Sequence, residues 1–508
     1  MRRRRTPGLG GGAGGASPAL PALQRGHRAT GRLRQRCGRA ADPVHGRSVT
    51  RSIAAAAADL RSGRNTCAQL AVEALESLRR WEPHLNAWID FSAPLALANA
   101  RRLDQELESG HDRGPLHGIP IGVKDNILTA DFPTTCASRA PMPATASRAS
   151  GAEADSVTAL RDAGAIIIGK TNLHELAMGN PYIGEVANPF DLSRNASGSS
   201  SGTAAATAAG TIFGGLGTDS GGSIRLPAAV CGVVGFKPAY SRVSLRGLLG
   251  GSYTMDHIGP IARSVDDVRL LYSVIRSAGP SPAETSRTDR IVVGHVTRLS
   301  MADPDEEITA RVGEAAERLA RQGMEVREVS LEGLELLPYA AIGYAWPEIS
   351  SHHRAGLRGQ RKLYGDAVRP LLDLGEIISA RQYGLAQRSR SYFLRQVMSG
   401  MAGVDVLLMP TTPMTAGPMV ADADTEAVVG GDSPDLFRFT RYTLPWNVIG
   451  FPAMSVPCGL DGDGLPIGAQ LVARPRDEEL VFTVASAHAA AFDWGWPQHP
   501  TPVAGVEA

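Results

Sequence analysis

The sequence of 508 residues has no uninterrupted apolar run long enough to cross a bilayer, the nearest being AGAIIIG at 163–169, so no transmembrane segment and no membrane partner is expected. It has no CxxC pair. Its five cysteines (37, 67, 136, 231, 458) are odd in number and scattered, which excludes a disulfide framework and fits reduced thiols in a cytoplasm. Twelve histidines are equally dispersed; the one adjacent pair, His352 and His353, has no third ligand nearby in sequence. Neither a metal nor another cofactor is expected. Charge of one sign is also lacking, since 52 Lys and Arg balance 51 Asp and Glu. The balance is uneven: residues 1–50 hold eleven arginines and one acid, Asp42, which leaves the remainder at about −9. A body of that sign offers no electrostatic footprint for nucleic acid.

The opening MRRRRTPGLGGGAGGA has the charged start of an export signal, but glycines follow where an apolar segment belongs, so no secretory or twin-arginine signal is expected. Residues 1–50 read as a disordered Arg/Gly-rich extension or a misassigned start, with a transit peptide as the alternative. An internal start needs a non-Met codon such as Val44 or Val49, because the next methionine, Met142, lies inside the domain. With 43% hydrophobic and 20% charged residues and no linker or internal repeat, residues 51–500 read as one large domain.

Its patterning is α/β. Residues 53–80 predict two helices around a break at SGRN, and HGIPIGVKDNI (117–127) a short strand. DSVTALRDAGAIIIGKTNLHELA predicts helix (155–163), buried strand (165–168) and another helix, the alternation of a parallel or mixed sheet flanked by helices. GTAAATAAG predicts a helix, and the glycine-dense 211–238 predicts tight turns and close backbone approaches. Residues 290–330 repeat strand, amphipathic helix, strand; 331–400 are mainly helical; VDVLLMPTTP and PAMSVPCG are strand-like.

Within SGSSSGT (197–203), GSSSG matches the GxSxG nucleophile elbow centred on Ser200. An elbow needs a buried strand just before it, whereas NPFDLSRNAS has a loop composition, so Ser200 is not read as a nucleophile. Three stretches stand out together instead: GVKDN with Lys124, SGSSSGT with Ser199, and GTDSGGSIRLP with Ser223. In combination, and with the flanks GKTNLHELAMG, DHIGPIARSVDD and TLPWNVIGFPAMSVPCG, they resemble the amidase signature family over roughly residues 50–490.

The resemblance implies a serine amidohydrolase on a mixed central sheet flanked by helices. Carried onto this sequence it makes Ser223 the nucleophile, Ser199 the relay after a cis Gly198–Ser199 bond, and Lys124 the base. The residue types suit that chemistry: serine needs an adjacent base, and lysine serves only if burial keeps it neutral. The backbone amides of Ser220, Gly221 and Gly222, with that of Ser223, are assigned to the oxyanion hole, and Asp219 and Arg225 to the support of the turn. Two positions depart from the family pattern, each a serine where glycine is commoner: a positive φ at Ser197 would strain it, whereas Ser241 is expected to be tolerated. Cys136 and Cys231 read as core. The expected function is cleavage of a carboxamide through an acyl-enzyme, with a small amide as substrate, no direct nucleic-acid contact and a homodimer allowed. The alternatives are the glutaminase subunit of a tRNA-dependent amidotransferase, a ureido-compound hydrolase, or an amino-muconate-type deaminase.

Overall fold

The computed structural model describes residues 51–179, 182–277, 290–300, 304–419, 438–492 and 494. The N-terminal extension expected over 1–50, with Cys37, lies outside them.

Two capped helices open the described chain, as the break at SGRN predicts: α1 (Ile53–Arg61), with Ser52 accepting from the Ala55 N–H, and α2 (Cys67–Leu85), with a Thr66/Gln69 capping box. There follow β1 (Trp88–Phe91), α3 (Ala93–Glu108), β2 (Pro120–Lys124), α4 (Asp155–Asp162) and β3 (Ile166–Thr171). The helix expected after β3 is a single 3₁₀ turn, Glu175–Ala177, because Leu176 and Ala177 take positive φ and stop propagation. A small ribbon, β4 (Ala187–Asn188) with β5 (Asp191–Asn195), leads into α5 (Ser201–Ala208), β6 (Gly214–Asp219), α6 (Arg225–Val230), β7 (Val234–Lys237), β8 (His257–Ala262) and α7 (Val265–Ile275). The second half adds β9 (Val292–Leu299), α8 (Glu306–Arg321), β10 (Glu325–Leu331), α9 (Leu337–Gln360), α10 (Arg369–Ile377), α11 (Ala380–Gly400), β11 (Val406–Pro410), α12 (Leu444–Val448), β12 (Ala453–Leu460), β13 (Pro466–Ala473) and α13 (Glu478–Ala491).

Eleven strands form one mixed sheet in the order β1-β3-β2-β6-β8-β7-β12-β13-β11-β9-β10. β2 runs parallel to both β3 and β6, whereas β8 returns antiparallel to β6. β2, β3 and β6 are buried at every residue, as parallel strands covered on both faces must be. The glycines of β6 (GGLGTD) serve close packing: a Cβ at Gly215 would press on the Gly122 carbonyl and Thr203. The all-buried, alanine-rich α5 therefore lies close against the strands that carry the site. Helix α8 shows the expected amphipathic stripe, burying Ile308, Val312, Ala315 and Leu319.

Candidate active site

The three motif segments converge at the carboxyl ends of the parallel neighbours β2 and β6, the side of an α/β sheet where loops, not helices, meet the strand ends. Lys124 is the last residue of β2 and has no solvent exposure. Its Nζ donates to Ser199 Oγ at 2.8 Å and to Thr218 Oγ1 at 2.8 Å. Burial drives its pKa down to about 7, against the pull of the Asp219 and Asp256 carboxylates. A substantial fraction is then a neutral amine near neutral pH.

Ser199 follows a cis Gly198–Ser199 peptide bond, as expected, and is buried. The Ser200 N–H donates to the Ser223 carbonyl at 3.1 Å, which brings the turn that carries Ser199 against the backbone of Ser223. Ser223 is half-buried, in contrast to Ser199 and Lys124. Ser200 has another use. Its Oγ donates to the Thr218 carbonyl at 3.1 Å and accepts the Thr218 N–H at 3.2 Å, which fastens the start of α5 to β6. A hydroxyl spent twice on backbone and fully buried is a strut, so the GSSSG pattern has a structural origin.

The DSGGSIR loop is built on Asp219. Its carboxylate accepts the Gly222 N–H at 2.7 Å, the Ile224 N–H at 3.2 Å and a two-pronged contact from Arg225, with both bonds at 2.9 Å. Asn447 on α12 adds a bond at 2.8 Å, and Arg225 reaches on to Gln470 of β13 at 2.7 Å. Burial pushes Asp219 upward, but the Arg225 guanidinium and these donors hold it well below the usual carboxylate range. The expected support role of the Asp219 and Arg225 pair thus has a geometric basis. One expectation needs correction. The Gly222 N–H is already given to Asp219, so Gly222 shapes the loop instead of facing an oxyanion. Its φ of 136° and the nearness of Thr443 require glycine there. Among the described residues, the N–H groups of Ser220, Gly221 and Ser223 have no protein acceptor.

Several residues were not foreseen. Thr218 holds Lys124 and also accepts from Asn126 Nδ2 at 3.1 Å; nothing in the sequence sets this threonine apart. Asp256 touches Ser220 Oγ. Lys170, a second buried lysine, is committed to Asp125 at 3.2 Å, the Ile127 carbonyl at 2.7 Å and Thr134 at 2.6 Å, and is no rival base. His174 lies against Gly198, and burial brings its pKa down to about 4, so the ring is neutral. Cys136 and Cys231 are buried, with their thiols pushed up by burial. Among the described residues no group of three or more His, Cys, Asp or Glu is placed to hold a metal ion, and no helix is long and apolar enough to cross a membrane.

The Amidase family model matches residues 70–482. A glutamyl-tRNA(Gln) amidotransferase subunit from a Cyanothece species is 34% identical over 87% of this chain and 98% of its own length. Among solved structures, an amidase is 33% identical with a TM-score of 0.77, covering 87% of this chain and 99% of that one. The same-named subunit of the Thermotoga maritima glutamyl-tRNA(Gln) amidotransferase is 28% identical with a TM-score of 0.68, covering 86% and 94%. These names correct the expected partner list of a small-molecule amide, no direct nucleic acid, no membrane and a possible homodimer. Proteins this similar are named as one subunit of an amidotransferase for a charged tRNA. With a family match over most of its length and such relatives, the chain belongs to the Amidase family, as an enzyme hydrolysing carbon–nitrogen bonds of amides other than peptide bonds.

Proposed function

We propose that the chain splits a primary carboxamide through an acyl-enzyme on Ser223, and that it does so as the ammonia-releasing subunit of an amidotransferase in a cytoplasmic setting. The observation that carries the chemistry is the 2.8 Å bond between Lys124 Nζ and Ser199 Oγ on a lysine whose pKa lies at about 7. Neutral Lys124 takes the Ser199 proton while Ser199 takes that of Ser223, and Ser223 Oγ bonds to the carbonyl carbon. The oxyanion is met by the N–H groups of Ser220, Gly221 and Ser223. Collapse of the tetrahedral intermediate breaks the C–N bond, and the proton held by Lys124 returns through Ser199 to the departing nitrogen, which leaves as ammonia. Water, activated the same way, then releases the acid and frees Ser223.

The subunit role rests on the sequence relatives. The higher TM-score against the amidase structure favours a second reading, an amidase that works alone on another carboxamide. Ammonia release with glutamine and with a panel of simple carboxamides separates the two, with Ser223→Ala as the blank. Glutamine as the best substrate supports the subunit role. Turnover of other amides with glutamine spared supports the second reading, and an active Ser223→Ala protein rejects the chemistry itself.

A further inference from the structure

The loop from 251 to 256 joins the oxyanion turn to the helical half of the molecule. At its far end Glu348, buried on α9, accepts from Ser252 Oγ at 2.5 Å and from Thr254 Oγ1 at 2.9 Å. At its near end the Asp256 N–H donates to the Ser252 carbonyl at 2.8 Å, closing a turn that faces the Asp256 carboxylate inward. That carboxylate is 5% exposed and sits over Gly251, where a Cβ would overlap it. Its Oδ1 accepts a hydrogen bond from the Ser220 hydroxyl. Nothing in the acyl-transfer steps uses this carboxyl, yet it grips the first residue of the turn whose amides face the oxyanion.

We propose that Asp256 is a positioning residue for acyl transfer, clamping the Ser220 hydroxyl so that the Ser220 N–H is aimed at the oxyanion. The inference rests on Ser223 as nucleophile. Ser220 follows directly on Asp219, whose carboxylate pins the Gly222 and Ile224 amides but not that of Ser220. The turn is thus held at its end by one buried acid and at its start by another. The Asp219–Ser220 peptide is also tied through its carbonyl, to Asn447 Nδ2 at 2.9 Å and His257 Nδ1 at 3.3 Å, so removal of the second acid loosens the Ser220 end of that peptide without releasing it, and an oxyanion donor out of place acts like one deleted.

Asp256 is also a charge near the base. Burial raises it to about 7 against the Ser220 hydrogen bond, with the Glu348 charge adding to the rise and the Lys124 charge opposing it. Lys124 in turn faces Asp219, Asp256 and Cys136. Without the Asp256 charge, less remains to favour the ammonium of Lys124.

The test is a double-mutant cycle on the full chain with the amide it turns over best. Asp256→Ala and Ser220→Ala are each expected to lower kcat by about 10²-fold, the loss typical of one oxyanion donor, with KM changed little. The double variant should lose no more than the worse single one. Asp256→Asn, able to accept from Ser220, should recover most of kcat while its pH–rate limb moves to lower pH. A Ser220→Ala protein with full kcat, additive losses in the double variant, or an unmoved pH limb in Asp256→Asn overturns the proposal. If Asp256→Ala fails to fold, Ser220→Ala and Asp256→Asn still decide it. Activity in Ser223→Ala would instead show that the nucleophile is misassigned.

Discussion

Lys124 meets two opposed demands. It must be buried enough to be neutral, yet each bond it makes must leave a route for a proton. Thr218 and Ser199 meet both, since hydroxyls accept from the amine and can donate in turn. kcat/KM is therefore expected to rise with pH through an apparent pKa near 7, because only the deprotonated amine accepts a proton. Asp256 titrates in the same range, so the limb belongs to the pair, and the shift in Asp256→Asn separates the two. Lys124→Ala should lose more than the ~10²–10³ that follows removal of one oxyanion donor, and more on an amide than on the matching ester, whose leaving group needs less help from a proton. Equal and small losses on both substrates, in a variant that circular dichroism shows to be folded, would leave Lys124 a structural lysine. The residues of this proposed relay were legible through the family resemblance of the three motifs that carry them, and their types suit the chemistry. Thr218 was not: a threonine in a strand is ordinary until the fold places it under an amine.

Elements divide along the same line. α1, α2, α5 and α8 follow from helix formers, caps and apolar spacing, all local properties. The glycines of β6 predict turns because glycine disfavours strands, and tertiary packing against α5 overrides that propensity. The Gly222 amide departs from its expected role for a related reason, as the reach of the Asp219 carboxylate back to it is not a sequence property. The strain at Ser197 was legible as a conditional statement, and the condition holds with φ at 54°; Ser241, expected to be tolerated, also takes a positive φ, 62°. Serine in that region costs about 1–2 kcal/mol, partly offset by the greater freedom glycine has in the unfolded chain. Ser241 is exposed and donates no side-chain bond among the described residues, so Ser241→Gly should stabilise the protein by about 0.5–1 kcal/mol, read as a higher denaturation midpoint at unchanged m. A lower midpoint would show that the serine contributes something that outweighs its φ.

At the scale of the whole molecule the α/β class was legible, whereas the strand order was not, because β12 and β13 come late in the chain yet pair into the middle of the sheet beside β7 and β11. That order places Gln470 and Asn447 under Arg225, so the loop that carries Ser223 depends on the chain's last third folding onto its middle. Such integration makes global stability a probe of the buried base. Lys124 has its folded pKa lowered from 10.5 to about 7 by burial. Between those values the unfolded chain binds a proton on Lys124 that the folded one does not, so the Lys124 contribution to wild-type stability rises with pH across that window and is flat below it. Lys124→Met keeps the side chain's bulk and removes the titration. It should therefore exceed the wild type in denaturant midpoint by most at and below pH 7, and the gap should narrow steadily as pH climbs toward 10.5. A gap independent of pH would mean that the folded lysine keeps an ordinary pKa, and a neutral base at Lys124 would go with it.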